Sequence, residues 1–238
     1  MSELSEYLEL IKNEKDKKLL PKNIISGITI LGVPGNSDFS VKVDASASNQ
    51  NGIQHYITEI NGLDLSNSST INLVGFLSSC DKLKKISLKS GNNIKDMNSM
   101  FFRCVELENI DFSNVDTTNV TNMNSMFYMC QKLTNVPQLN TSKVTDMYKM
   151  FYACTTLENI PLLDTNKVTR WNEAFYYCEA LTNESLNNIL QMCINATSYT
   201  DTKTLAYLGF NANWCFSSKI QGLSNYQAFL NAGWTIGY

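Results

Sequence analysis

Five of the seven cysteines stand almost evenly along the chain, at Cys80, Cys104, Cys130, Cys154 and Cys178. None pairs with another through C-x-x-C spacing, the signature of zinc and redox sites, and the total is odd. In a stack of repeats, neighbouring thiols come within reach of a disulfide, but parallel Cβ vectors disfavour closing one. The expectation is five buried free thiols that pack as small hydrophobes. His55 is the only histidine, which excludes multi-histidine metal sites and leaves one candidate for a Cys-His or Ser-His pair. It lies in the alternating run 53–57, a strand of an N-terminal cap, and reads as a cap or surface residue. Two carboxylate pairs, Glu106 with Glu108 and Asp111 with Asp116, have the composition for acid-base work but recur only loosely between repeats, as solvated positions do. The column Met97, Met123 and Met147 offers soft sulfur ligands, yet beside phenylalanine at helical spacing it reads as core. The reading is therefore no catalytic residue, no metal site and no cofactor.

The elements that would carry these residues follow from the repeat. Three, four and seven positions before the cysteine stand Phe101, Met100 and Met97, then Phe127, Met126 and Met123, then Phe151, Met150 and Met147. That spacing predicts one helical face. After the cysteine comes L-x-x-I-x-L, the leucine-rich-repeat strand pattern: Leu83, Ile86, Leu88; Leu107, Ile110, Phe112; Leu133, Val136, Gln138; Leu157, Ile160, Leu162. Asn114, Asn140 and Asp164, with Ser90 in the weaker first copy, read as a hydrogen-bonding ladder in the turn that follows. Thr121, Thr145 and Thr169 read as helix N-caps. The predicted fold is an α/β leucine-rich-repeat solenoid, one short helix and one short parallel strand per repeat of 24 residues, with strands about 4.8 Å apart. Ile60, Leu63 and Leu65 open a degenerate first repeat, Trp171 and Ala174 replace two methionines in the last, and Glu184 closes the apolar ladder where an isoleucine is expected.

Around the repeats, at residues 60–186, the chain divides into an N-terminal segment (1–43), a linker and cap (44–59) and a helical C-terminal cap (187–238). Residues 3–18 show an amphipathic helical pattern, Ile28-Thr29-Ile30-Leu31 reads as a strand, and the Ser-, Ala- and Asn-rich stretch 44–52 as a linker. Leu186, Ile189, Leu190 and Cys193 form a helical face, the helical style continues over 204–208, and a last helix spans 224–232 between a capping serine and Gly233. A net charge of −3 leaves no electrostatic footprint for nucleic acid. Residues 1–20 lack the apolar core of a secretory signal, and the stretch 24–33 is too short to span a bilayer, so the expectation is a soluble chain made in a cytoplasm, without membrane insertion.

The strings DTTNVTNMNSMFYMCQKL and NTSKVTDMYKMFYACTTL resemble the BspA-like leucine-rich repeat of surface proteins of bacteria and protists. The segment LLPKNIISGITILGVPGN, residues 19–36, is similar to a sequence in structural proteins of phages of Gram-positive bacteria, where it precedes variable binding modules. The closing stretches TLAYLGFNANW and LSNYQAFLNAGWTIGY resemble C-terminal caps of the same proteins. The last two resemblances imply a virion structural protein, a tail fibre or baseplate adhesin more than a head fibre or decoration protein. Its N-terminus would join other virion proteins and its repeats would bind a host surface glycan or protein. Analogy with phage fibres implies a homo-oligomer, a trimer. The alternatives are a bacterial surface adhesin and a polysaccharide-degrading enzyme; the second would want paired acids and aromatic subsites, and nothing recurs with that geometry.

The ligand-facing strip expected on the strand side is Lys84, Lys85, Glu108, Asn109, Thr134, Asn135, Glu158 and Asn159, polar and mixed in charge. The competing reading of the same residues is an ordinary solvated sheet.

Overall fold

The computed structural model describes residues 40–43, 57–64, 71–210 and 216–237. Strand β1 (Ser40–Val43) pairs antiparallel with β2 (Ile57–Asp64), which runs parallel to β4 (Lys85–Ser90), itself parallel to β6 (Asn109–Asp111). Between them in the chain, β3 (Ile71–Asn72) and β5 (Ile94–Asp96) form a separate two-stranded parallel sheet. The described helices are α1 (Asn183–Asn195), α2 (Phe216–Gln221) and α3 (Tyr226–Asn231), all beyond the last ladder cysteine. The expected helix of residues 3–18, the strand 28–31, the linker 44–52 and His55 lie outside the described residues.

This arrangement overturns the α/β leucine-rich-repeat solenoid read from the sequence. Among the described residues no repeat carries a helix, and only the early repeats carry a strand. Where a helix was expected, each repeat forms a run of tight turns. The amides of Met100, Phe102 and Cys104 donate to the carbonyls of Met97, Ser99 and Phe101, three residues back. The alternate amides leave the repeat: Met97, Ser99, Phe101 and Arg103 donate to Asn122, Asn124, Met126 and Tyr128 of the next one, at 3.0, 2.8, 2.9 and 2.7 Å. Ser99 and Arg103 are left-handed, with φ of 55° and 61°, as are Ser125, Met129, Lys149, Ala153, Glu173 and Tyr177 at the matching positions. An α-helix keeps its amides within itself and excludes such residues. The apolar spacing misled because the turns also bury the methionines, phenylalanine and cysteine on one side. The polar residues between were the contrary signal, since Asn and Ser compete for backbone groups and favour turns. Asp96, Asn122 and Asp146 each open the run by accepting the amide two residues ahead, from Asn98, Asn124 and Tyr148.

The threonines expected as N-caps therefore cap nothing. Thr145 and Thr169 donate their hydroxyls to the carbonyls of Thr121 and Thr145 in the preceding repeat, at 3.2 and 3.3 Å, and their amides go to the same oxygens.

The strands fade for a residue-level reason. Pro137 and Pro161 occupy the place held by Ser87 in β4 and Asp111 in β6. Proline has no N–H for a ladder, so pairing there shrinks to a single bridge, Asn135 to Asn159. The alternation slips with it: Leu139 and Leu163 are buried, whereas Gln138 and Leu162, expected on the core side, are exposed.

Successive repeats stack their core side chains in columns. Phe101, Phe127, Phe151 and Phe175 lie with ring centroids 5.7, 5.6 and 5.8 Å apart and planes within 12°. All are nearly inaccessible, and each contributes about 1.5–3 kcal/mol of burial. Trp171 and Ala174 take the two methionine places in the last repeat and are equally buried.

Helix α1 closes the stack, burying Leu186, Ile189, Leu190 and Cys193 as expected, with Thr182 Oγ1 accepting the Ser185 amide. Glu184 is exposed in the first turn, where the helix dipole favours an acid. Residues 205–209 form turns rather than the expected helix, and the Glu173 and Phe175 amides donate to Tyr207 and Leu208 as though to one more repeat. A Cβ at Gly209, whose φ is 105°, would stand 2.5 Å from the Tyr176 nitrogen, so this closing turn requires glycine. The last helix is shorter than expected: its cap is Asn225, which makes no side-chain cap bond, while the Ser224 hydroxyl donates to Asn187.

Candidate functional site

The cysteine column is a hydrogen-bonded ladder. Cys104, Cys130, Cys154 and Cys178 donate Sγ–H to the carbonyls of Leu77, Phe101, Phe127 and Phe151 in the preceding repeat, at 3.1, 3.2, 3.0 and 3.0 Å. The same carbonyls accept the cysteine amides of their own repeats. Cys80, Cys104, Cys130, Cys154, Cys178 and Cys193 are all free and buried. Burial pushes Cys80 and Cys154 up to about 12, far from the thiolate that a nucleophile or metal ligand needs.

The turn ladder forms with one substitution. Asn140 and Asp164 accept the amides of Ser142 and Asn166 through their side chains. In the repeat before, Asp116, not Asn114, does this for Thr118. The two extra residues of the 104–130 repeat displace Asn114 from register, and it stands exposed. Thr117 and Thr141, buried one position after the ladder, donate to the carbonyls of Asn140 and Asp164 at 3.0 and 2.9 Å. Sequence reasoning missed these threonines, although they recur with Thr165 at constant spacing.

Asp111 and Asp116, considered for acid-base work, are turn formers. Hydrogen bonding from Ser113 holds the Asp111 carboxyl below its ordinary value, and bonds from Thr118 do the same for Asp116. Among the described residues no three His, Cys, Asp or Glu side chains are grouped to hold a metal ion.

The strand-side strip is exposed, except that Thr134 is half-buried, and it falls into two blocks. Lys85 pairs with Asn109 between β4 and β6, and Glu108 donates its amide to Lys84. Two repeats on, Asn135 bridges Asn159, and the Glu158 amide goes to Thr134. In this second block the amides spend themselves on neighbours: Asn159 Nδ2 donates to Asn135 Oδ1 at 2.8 Å, and Asn135 Nδ2 to Thr134 Oγ1.

A second face, which the helical reading concealed, lies on the outside of the turns. The residue after each core phenylalanine is also aromatic, and Phe102, Tyr128, Tyr152 and Tyr176 stack at 4.7, 4.7 and 4.9 Å with planes within 19°. On a helix these would fall off the core face; on the turn run they form a half-buried outer column at the repeat spacing. The pairs FF, FY, FY and FY before each cysteine were the available signal. Tyr177 adds an edge contact to Tyr176, whose phenol is raised by hydrogen bonding with it. Desolvation raises the Tyr152 phenol.

Two ion pairs lie on this face. Arg170 Nη1 lies 3.0 Å from Asp146 Oδ2, with its guanidinium 4.1 Å over the Tyr148 ring. Lys149 Nζ is 3.4 Å from Glu173 Oε2 and 4.9 Å from the Tyr148 ring centre, and a hydrogen bond with Tyr148 raises it. Among the described residues no helix is long and apolar enough to cross a membrane.

A family model described as "Mycoplasma protein of unknown function, DUF285" matches residues 71–197. No curated protein and no solved structure matches. The matched stretch holds all five ladder cysteines, both aromatic columns and helix α1, more than half of the 238 residues. On that match the chain belongs to this family of Mycoplasma proteins of unknown function.

Proposed function

We propose that the chain is a non-catalytic attachment protein, a structural component of the virion of a phage of Gram-positive bacteria that serves as a tail fibre or baseplate adhesin. The observation that carries the binding role is the rows of like side chains that the stacked repeats present outward. Asn135 with Asn159, and Phe102 with Tyr128, Tyr152 and Tyr176, are held in register while the ladder thiols and the Asp111 and Asp116 carboxylates serve the fold. The virion setting rests on the resemblance of residues 19–36 and of the closing stretches to phage structural proteins. In this reading the N-terminus joins other virion proteins, and the chain is a homo-oligomer. A head fibre or decoration protein would use the same surfaces.

A second reading keeps the binding role and places the chain on a bacterial cell surface. The family's description, which names Mycoplasma, favours a bacterial over a virion setting. The test is immunogold electron microscopy, with antibody to residues 60–238, on particles and cells of a culture making the protein. Gold at the tail tip is the expected result. Gold over the head selects the decoration reading, and label confined to cell surfaces overturns the virion assignment.

A further inference from the structure

The outer face of the turns has properties that select a class of ligand. Beside its two ion pairs it presents hydroxyls and amides. The phenols of Tyr128 and Tyr152 and the amides of Asn98 and Asn172 have no side-chain hydrogen bond among the described residues, whereas the cations beside them, Lys149 and Arg170, are paired with carboxylates. Tyrosine, asparagine and serine are also the residues that antibody paratopes favour, because they give contact area and adaptable hydrogen bonds at low entropic cost. The column is regular: three successive ring spacings agree to 0.2 Å. A regular row of phenols and amides, with the neighbouring Lys149 and Arg170 held by carboxylates, fits a polymer that is itself uncharged, periodic and rich in hydroxyls, and the spacing is close to the advance of one pyranose ring along an extended chain.

Resting on the attachment reading, we propose that this turn face, rather than the strand-side strip, is the ligand site, and that it takes a neutral glycan laid along the stack across Tyr128, Tyr152 and Tyr176. The stacked rings cover one another's faces, so a sugar cannot lie flat on them as it does on an isolated aromatic. It meets ring edges and phenols instead. Hydrogen bonding, not ring stacking, carries the affinity, and removing hydroxyls while keeping rings is the decisive perturbation.

The experiment uses the purified full chain on immobilised neutral and anionic oligosaccharides graded from disaccharide to octasaccharide. The expected result is binding to a neutral series, insensitive to salt, that strengthens with length and levels off once the column is spanned. Tyr128→Phe with Tyr152→Phe should weaken it about ten- to hundredfold, two hydrogen bonds' worth, with the urea midpoint unchanged. Glu108→Lys with Glu158→Lys should leave it as it was. Neutral-glycan binding that survives the phenylalanine pair, or binding confined to anionic glycans and lost in salt, overturns the proposal. So does failure to bind any oligosaccharide: if the chain still binds cells from the producing culture, the attachment reading stands without this site, and if it does not, both fall.

Discussion

Replacing Arg103 by glycine should stabilise the protein, the opposite of what the helical reading of the same residues requires. Arg103 is exposed and left-handed, with φ of 61°, and its amide donates to the Tyr128 carbonyl at 2.7 Å. Holding an L-residue there costs about 1–2 kcal/mol, which glycine does not pay. Against that, glycine has a more disordered unfolded state, worth about 0.5–1 kcal/mol. Arginine to alanine keeps the strain and gives up only an exposed side chain, so alanine is the proper reference, and glycine should exceed it by about 0.5–1 kcal/mol. In a helix the order reverses, alanine exceeding glycine by about 1 kcal/mol. Urea titration of both variants, compared at their midpoints with equal slopes, separates the two cases by more than the error of extrapolation. Alanine more stable than glycine would refute the left-handed turn run and the column of rings that depends on it.

Cys154→Ala should cost about 1–2 kcal/mol at neutral pH, since it opens a small cavity and removes a thiol hydrogen bond. The thiol also sets an alkaline limit: because the folded state holds its proton up to about 12 against an ordinary 9.0, its stability contribution is complete below pH 9 and is lost as pH rises toward 12. Urea midpoints from neutral to alkaline pH should fall in that window, less steeply in the alanine variant. Phe127→Ala, in the middle of the inner column, should cost about 3–5 kcal/mol and Phe127→Leu under about 1.5 kcal/mol, read from thermal or urea unfolding. Thr141→Val should cost about 1–2 kcal/mol by withdrawing a buried hydroxyl from the Asp164 carbonyl, and equal stability of the variant would contradict that bond.

The part of the core around each cysteine was legible in the sequence, because burial needs only apolar side chains at constant spacing, and Met97, Phe101, Cys104 and Leu107 satisfy it in either backbone. Backbone conformation was not legible from that spacing, since positions three, four and seven before the cysteine suit a helix and a chain of tight turns alike. Amides such as that of Phe101 find their acceptors in the next repeat, and no pattern within one repeat reveals a partner 25 residues away. The local evidence against a helix, Asn98-Ser99 and Asn124-Ser125 in its middle, was present and outweighed. Pro137 and Pro161 also announced where strand pairing would stop. The candidate site suffered from the same error: with a helix assumed, Tyr128 and Tyr152 had no reason to align. The strip from Lys84 to Asn159 was placed on a real exposed surface, but the two extra residues before Cys130 divide it.

The thiol ladder makes the molecule a recorder of its own opening. While the stack is closed, the ladder sulfurs are protonated and shielded, and those of Cys104, Cys130, Cys154 and Cys178 are aimed at carbonyls, so an oxidising medium finds no ladder thiol to attack. Repeat arrays open from their ends, and at the N-terminal end Cys80 has no carbonyl acceptor of its own among the described residues while Cys104 lies one repeat behind it. A single excursion there would free two neighbouring thiols together, and any disulfide they formed would bar the repeat from closing again. Outside a reducing compartment, such a disulfide would count openings of the repeats nearest Cys80 rather than hours.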